Sequence, residues 1–323
     1  MKKKNVLICG VTGFIGRNMA EAFLKKPDVE LYGTHHRSAP DPDLKRRGLR
    51  VLKANLTSAA DVEEVIRGKD VVIQAAATTS GAKDIITQPY VHVTDNAVMN
   101  SLIFRACHEH KVKRVIFFSC TTMYAEQPRP VKETDFNHQI VDNYFGVGWT
   151  KVYIEKMCEF YARLGPTQYA ALRHSNIYGP HDKYDLERSH VFGATVAKVM
   201  NASQGCVTVW GDGSDERDLL YVDDLVSFVE ILLEKQRAPF ELINVGSGRS
   251  IAVRDLVEKT IRLSGRKLEI EYDRSKPSLN YKLAVDIGRA KTLYGWTPKI
   301  SLEEGIKRSL AWYKSHHAVT ETA

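Results

Sequence analysis

Cys9–Gly16 reads CGVTGFIG, with glycines at positions 10, 13 and 16. The run before it, NVLIC (residues 5–9), is short and continuously apolar, the pattern of a strand buried on both faces. Helical periodicity follows from Phe14 to Lys25. A glycine-rich loop between a strand and a helix has a specific physical use. Glycine permits the tight turn and lets the backbone come close to a pyrophosphate, and the helix N-terminus offers unpaired N–H groups and a partial positive charge. The context predicts dinucleotide binding, with Gly10, Thr12, Gly13, Phe14, Ile15 and Gly16 forming the cradle.

The chain continues in the same rhythm. VELYGTH, LRVLKANL, DVVIQAAA, VKRVIFFSC and QYAALRHSNIYG read as strands two to six. Between them SAADVEEVIRG, capped by Ser58, NSLIFRACHEH and Lys151–Leu164 read as helices. Alternating short apolar strands and helices predict an α/β fold, a doubly wound parallel sheet of the Rossmann type. The rhythm changes after Gly179. A polar loop, GPHDKYDLERSH, leads to the helix VFGATVAKVM and to VTVWGDGSDERDLLYV, read as a strand, a hairpin turn and a strand. DDLVSFVEILLEK is a helix and ELINVGSG a strand that returns to the main sheet. VRDLVEKTIRLSG and SLEEGIKRSLAWYKSHH close the chain as helices. The expected division is a dinucleotide-binding domain over 1–178, with a returning contribution from 219–248, and a smaller α+β substrate domain over 179–323.

Composition narrows the partners. The chain has 323 residues, 43% hydrophobic and 26% charged, and a net charge of +7 from 46 basic and 39 acidic residues. The basic residues are scattered rather than gathered in a stripe, which argues against a nucleic-acid partner and allows a basic pocket for a phosphorylated ligand. The five cysteines are widely spaced and form no CxxC pair, and no His, Cys, Asp and Glu grouping has metal-ligand spacing. These features predict a reducing, cytoplasmic setting without a structural metal. The lysine-led apolar start is read as a first strand rather than a signal segment, and no run approaches the ~20 apolar residues that cross a bilayer.

The end of the second strand discriminates between nucleotides. An acidic residue there usually holds the ribose hydroxyls of NAD. Here the residues are Thr34, His35, His36 and Arg37, with Arg17 just after the third glycine. Arginine pairs with phosphate in bidentate fashion, so NADP(H) is the expected cofactor, with Arg37 among its ligands.

Four further stretches carry a resemblance: QAAA (Gln74–Ala77), SNIYGPHDKYDLERSHVFGATVAKV, VWGDGSDERDLLYVDDL and SKPSLNYKLAVD. From about Asn5 to Tyr313 the chain resembles the extended short-chain dehydrogenases, and within them the GDP-L-fucose synthase group of nucleotide-sugar epimerase/reductases. Members use NADPH to epimerise a 4-keto-6-deoxy sugar at two carbons and then reduce the ketone. The resemblance implies a nucleoside-diphosphate sugar as substrate and a homodimer built through helices. One of these corresponds to Lys151–Leu164, where Val152, Met157, Phe160 and Tyr161 offer an apolar face. It implies that His190 is the acid/base histidine, that Lys198 meets the substrate diphosphate, and that Trp210 and Arg217 bind the nucleotide. Lys151 matches the active-site lysine that holds the nicotinamide ribose. Asn55 and Leu56 match positions near adenine, Ala75, Ala76 and Ala77 the shared stretch beside the cofactor, and His174, Asn176 and Ile177 a stretch lining the nicotinamide.

The chain departs from the family at points that bear on chemistry. Val147 stands four residues before Lys151, where the family has its tyrosine. Counting back from Tyr124, Cys120 takes the place of the catalytic serine and Thr122 that of the epimerising cysteine. Ser278 replaces an aspartate near the sugar. Ketone reduction needs a proton on oxygen, and a positioned acid is worth about 10²–10⁴-fold. Valine supplies none. Epimerisation beside a ketone instead needs a base, an acid on the opposite face and donors for the enolate. His190 and Cys120 suit those roles. The expected activity is therefore epimerisation favoured over reduction. The alternatives are a reductase with a relocated donor (Cys120, Thr122, Tyr144, Tyr178 or water), a silent sensor of NADP(H) or sugar nucleotide, and an engineered valine in an otherwise ordinary enzyme.

Overall fold

The computed structural model describes residues 3–78, 90–186, 189–203, 205–275 and 282–317. Its first half is a repeated strand–helix unit. The strands are β1 (Lys4–Cys9), β2 (Val29–His35), β3 (Arg50–Lys53), β4 (Val71–Gln74), β5 (Arg114–Phe118) and β6 (Gln168–His174). The helices between them are α1 (Phe14–Phe23), α2 (Pro42–Arg46), α3 (Ala59–Ile66), α4 (Tyr90–Glu109) and α5 (Phe145–Leu164). A later strand, β10 (Phe240–Val245), pairs in parallel with β6, so the main sheet runs β10-β6-β5-β4-β1-β2-β3. All its pairings are parallel. The order reverses between β1 and β4, and a doubly wound sheet binds ligands in the crevice at that switch point.

The sheet is apolar on both faces because helices cover both. Along β5, Ile116 and Phe118 pack on one side with Met19 and Phe23 of α1, while Val115 and Phe117 pack on the other with Ile103 of α4 and Ile154 of α5. Cys9, Cys107 and Cys158 are part of the second face, and all five cysteines are free thiols. Among the described residues no helix is long and apolar enough to cross a membrane.

The remaining elements are β7 (Asn176–Tyr178), α6 (Val191–Asn201), β8 (Cys206–Trp210), β9 (Glu216–Tyr221), α7 (Val222–Lys235), β11 (Ser250–Ala252), α8 (Val253–Ser264), β12 (Glu269–Asp273), β13 (Lys282–Leu283), α9 (Gly288–Tyr294) and α10 (Leu302–His316). They form a second sheet, β11-β9-β13 with β7 on β9, and a two-stranded sheet of β12 and β8.

Several boundaries differ from those read in the sequence. QYAALRHSNIYG is two strands, not one. β6 ends at His174, the Ser175 N–H donates to the Val245 carbonyl, and β7 then joins β9 in the other sheet. The predicted hairpin around Gly213 is absent, because β8 and β9 belong to different sheets. Helix α5 begins at Phe145, six residues before Lys151. Gly146 and Gly148 hid its first turn, since each costs a helix about 1 kcal/mol relative to alanine. Close packing fixes that turn: a Cβ on Gly148 would lie 2.9 Å from Cγ2 of Ile140. The apolar face expected on α5 is also divided, with Val152 buried and Tyr153, Phe160 and Leu164 exposed.

Candidate active site

The loop between β1 and α1 is shaped by backbone proximity. Gly10 has φ +79°, a conformation costly for other residues, and a Cβ there would stand 2.8 Å from Cα of Ala76. A Cβ on Gly16 would stand 2.2 Å from the Gly10 carbonyl oxygen. The glycines therefore let the first turn of α1 and the segment after β4 close on the same loop. The Gly10 N–H donates to Thr34 Oγ1 at 3.0 Å, which ties the loop to the end of β2. Gly13 is the N-cap of α1, and no side chain caps that end. Free N–H groups, a helix N-terminus and an absence of side chains suit a dinucleotide diphosphate. Ala75 and Ala76 lie against this loop, the Ala75 N–H donating to Cys9 O at 3.2 Å and the Ala76 N–H to Gln74 Oε1 at 3.2 Å.

Asn55 and Leu56 follow β3. The Asn55 N–H donates to Asp61 Oδ2 at 2.7 Å, its side-chain oxygen accepts from Thr57, and Leu56 is buried. Arg37, after β2, and Arg17, on α1, differ. Arg37 is exposed in the bend after the strand. Arg17 is engaged: its Nε donates to Glu21 Oε1 at 2.7 Å and its Nη2 to Asp41 Oδ2 at 3.0 Å. This pairing was not legible in the sequence, because Asp41 lies six residues beyond β2, at the N-cap of α2.

Lys151 projects from α5 toward the ends of β5 and β6. Its ammonium donates to the Phe118 carbonyl at 2.9 Å and lies 4.7 Å from the centre of the Phe117 ring. Desolvation lowers its pKa, and Cys120 and Glu155 oppose that shift. Cys120 Sγ and Thr122 Oγ1 are 2.9 Å apart. Cys120 and Thr122 therefore form one thiol–hydroxyl pair, with Cys120 beside Lys151. Val147 lies one helical turn before Lys151, at the spacing that shares a face.

His174, at the end of β6, packs edge-on against Phe118 with ring centres 6.1 Å apart. Its Nδ1 is 2.8 Å from the Ser175 carbonyl oxygen. A carbonyl can only accept, so Nδ1 carries the proton and Nε2 presents a lone pair. Burial pushes the pKa of His174 down to about 4, with the charges of Lys151 and His190 adding to the effect. Lys151, His174 and His190 thus share one region of the crevice. His190 is the N-cap residue of α6. Its ring is reached by solvent yet walled by protein, and this desolvation, ahead of the Lys183 charge, lowers its pKa.

The residues expected to meet the substrate lie on α6, at the N-cap of α5 and on the second and third sheets. Lys198 donates to the Thr208 carbonyl at 2.8 Å and stands 5.4 Å from the centre of the Trp210 ring, whose side chain is exposed. Arg217 Nη1 donates to the Glu216 carbonyl at 2.9 Å, and Nη2 lies 3.6 Å from Asp215. Tyr144, the N-cap of α5, has a pKa raised by burial, with Arg217, Asp215 and Cys120 as its titratable neighbours. Asn176 donates to the Asp218 carbonyl at 3.2 Å, and Ile177 is buried. Ser278 lies outside the described residues.

Two features went unread in the sequence. Arg173 and Glu155 form a buried ion pair at 2.7 Å, joined by Ser119 at 2.5 Å and by Tyr124 at 2.9 Å. The spacing of Glu155, one turn past Lys151, was the available signal. Asp182 of the GPHD loop has a buried Oδ2 with no hydrogen-bond partner among the described residues, and burial raises its pKa to about 7.

The chain matches the model of the NAD dependent epimerase/dehydratase family over residues 6–246. It is 30% identical over 270 residues to a putative GDP-L-fucose synthase 2 of Arabidopsis thaliana, covering 80% of each chain. It is 28% identical to the GDP-L-fucose synthase of Escherichia coli, covering 97% of each. A solved UDP-glucose 4-epimerase of Thermotoga maritima, bound to UDP-glucose, superposes with a TM-score of 0.85 at 26% identity over 96% of this chain and 99% of that one. The family match takes in the phosphate loop, Lys151 and the strand that returns to the main sheet, and on these grounds the chain belongs to the NAD dependent epimerase/dehydratase family, the extended short-chain dehydrogenases and reductases, with GDP-L-fucose synthases among its relatives.

Proposed function

We propose that this chain binds NADP(H) and a GDP-linked 4-keto-6-deoxy sugar and epimerises a carbon next to the ketone, with little reduction. The observation that carries this reading is Val147, one turn before Lys151 on the same face of α5. The lysine, the phosphate loop and the nucleotide-side cations remain while the usual proton donor is absent. The GDP-L-fucose synthase relatives support a GDP-linked sugar, and the exposed guanidinium of Arg37 supports a 2′-phosphate.

In this scheme His190 takes the proton from the carbon beside the ketone. The electron pair moves onto the ketone oxygen, where Cys120 and Thr122 donate hydrogen bonds, and Cys120 or water returns a proton to the opposite face. Lys151 holds the cofactor ribose, Arg217 and Lys198 neutralise the diphosphate, and Trp210 stacks on the base. The cofactor, when bound, supplies or accepts hydride and fills the crevice floor formed by residues 1–178 and 219–248. Residues 179–323 mainly hold the sugar nucleotide. The exposed Tyr153, Phe160 and Leu164 of α5 support a homodimer, and five free thiols support a reducing compartment such as the cytoplasm.

A second reading, reduction with a relocated donor, draws support from Tyr144 and its neighbour Cys120. Incubation with a GDP-4-keto-6-deoxy sugar in deuterated water separates the two. Epimerisation puts deuterium on carbon without loss of NADPH absorbance, and reduction consumes NADPH. Tight binding of both ligands with neither signal would sink both readings.

A further inference from the structure

Arg17 and Asp41 form an ion pair at 3.0 Å on the rim where the phosphate loop meets the end of β2. We propose that Asp41 sets which dinucleotide the chain accepts, by competing with a 2′-phosphate for the guanidinium of Arg17. The proposal rests on the cofactor reading above and gives it a specificity device.

The placement is fixed by backbone contacts. The Gly10 N–H donates to Thr34 Oγ1 and the Val11 N–H to the Thr34 carbonyl at 3.0 Å, so the carboxyl end of β2 adjoins the glycine loop. Arg17 is the first residue after the third glycine, and its side chain is only 15% exposed. Asp41 reaches the same spot from the N-cap of α2, with a side chain 43% exposed. The adenosine ribose of a bound dinucleotide meets the end of β2 in this fold.

The hydrogen bonds show how the guanidinium is divided. Glu21 holds Nε at 2.7 Å, and Glu21 is itself held by His181 Nε2 at 3.1 Å. That side of Arg17 is anchored. Asp41 takes Nη2, and among the described residues Nη1 has no hydrogen-bond partner. Two carboxylates on one guanidinium offset its charge, which suits a ribose with free hydroxyls. A 2′-phosphate dianion is repelled by Asp41 unless the carboxylate swings away, which its exposure permits. It then gains both Nη groups in a bidentate pair. Arg37, exposed in the adjacent bend, is a second cation for the same phosphate. Asp41 therefore tempers a preference that Arg17 and Arg37 create.

The test is Asp41→Asn, which removes the charge and keeps the cap, because asparagine and aspartate are equivalent N-caps. Binding is measured by calorimetry at low and high salt with NADPH, NADH, adenosine 2′,5′-bisphosphate and adenosine 5′-monophosphate. At low ionic strength Asp41→Asn tightens NADPH and the bisphosphate about tenfold, leaves NADH and the monophosphate within about twofold, and loses most of the gain at high salt. Arg17→Gln weakens NADPH and the bisphosphate selectively. Unchanged or weaker NADPH binding in Asp41→Asn overturns the proposal, as does a loss confined to NADH, which would make Asp41 a reader of the ribose hydroxyls. Wild-type protein that binds neither dinucleotide overturns the cofactor reading itself and this proposal with it.

Discussion

Val147 and Lys151 lie one turn apart on one face of α5, and the Lys151 ammonium donates to the Phe118 carbonyl at 2.9 Å. The lysine thus keeps a fixed position in a site whose neighbouring side chain has no proton to give. Under the proposed function, proton transfer in this crevice falls to groups other than a tyrosine at position 147.

Restoring the phenol tests how complete the rest of the site is. Val147→Tyr places a hydroxyl on the Lys151 face, and NADPH consumption with a GDP-4-keto-6-deoxy sugar should rise by about 10²-fold or more. Absence of any gain, in a protein that still binds both ligands, means the remaining geometry no longer supports hydride transfer.

His190 is expected to act on carbon. His190→Asn should lower deuterium incorporation into the sugar about 10²–10³-fold while nucleotide-sugar affinity changes little. Cys120→Ser should retain more exchange than Cys120→Ala, since only the serine keeps a donor beside Thr122. Equal exchange in the two Cys120 variants would remove that residue from the mechanism.

The Arg173–Glu155 pair, with side chains 3% and 4% exposed, is a structural requirement of the same region. Glu155→Gln leaves a buried guanidinium without its counter-charge and should cost about 3–5 kcal/mol of stability. Denaturant melts of Glu155→Gln, Arg173→Met and the double variant measure this. The double variant should be far less destabilised than the sum of the single ones.

His174 gives the stability a pH dependence with a definite sign. Its folded pKa, about 4, lies below its ordinary value of 6.5. As pH falls from about 6.5 toward 4 the unfolded chain binds a proton that the folded chain refuses, so stability declines across that window and the contribution is intact above it. Denaturant melts of wild type and His174→Gln between pH 7.5 and 4.5 check this, and the variant should show the shallower decline. Parallel curves would refute the burial of a neutral ring.

The sequence alone determined the sheet and the glycine loop at its switch point. Local signals carry that information: apolar runs of strand length, glycines at fixed spacing before an amphipathic helix, and the Ser58 cap of α3, whose Oγ accepts from the Asp61 N–H. Each of these depends on residues close in the chain. The placing of Val147 one turn before Lys151 was equally legible, because the two are neighbours on one helix.

Tertiary structure decided what depends on distant partners. The break between β6 and β7 follows from pairing with β10 and β9, which lie dozens of residues away. The glycine-rich first turn of α5 persists because Ile140 packs against it, despite poor local propensity. Arg17 reads as a free cation until folding brings Asp41 beside it, and His174 reads as one histidine among eleven until burial lowers its pKa. Charge pairing and desolvation are properties of the assembled interior, and a linear pattern does not encode them.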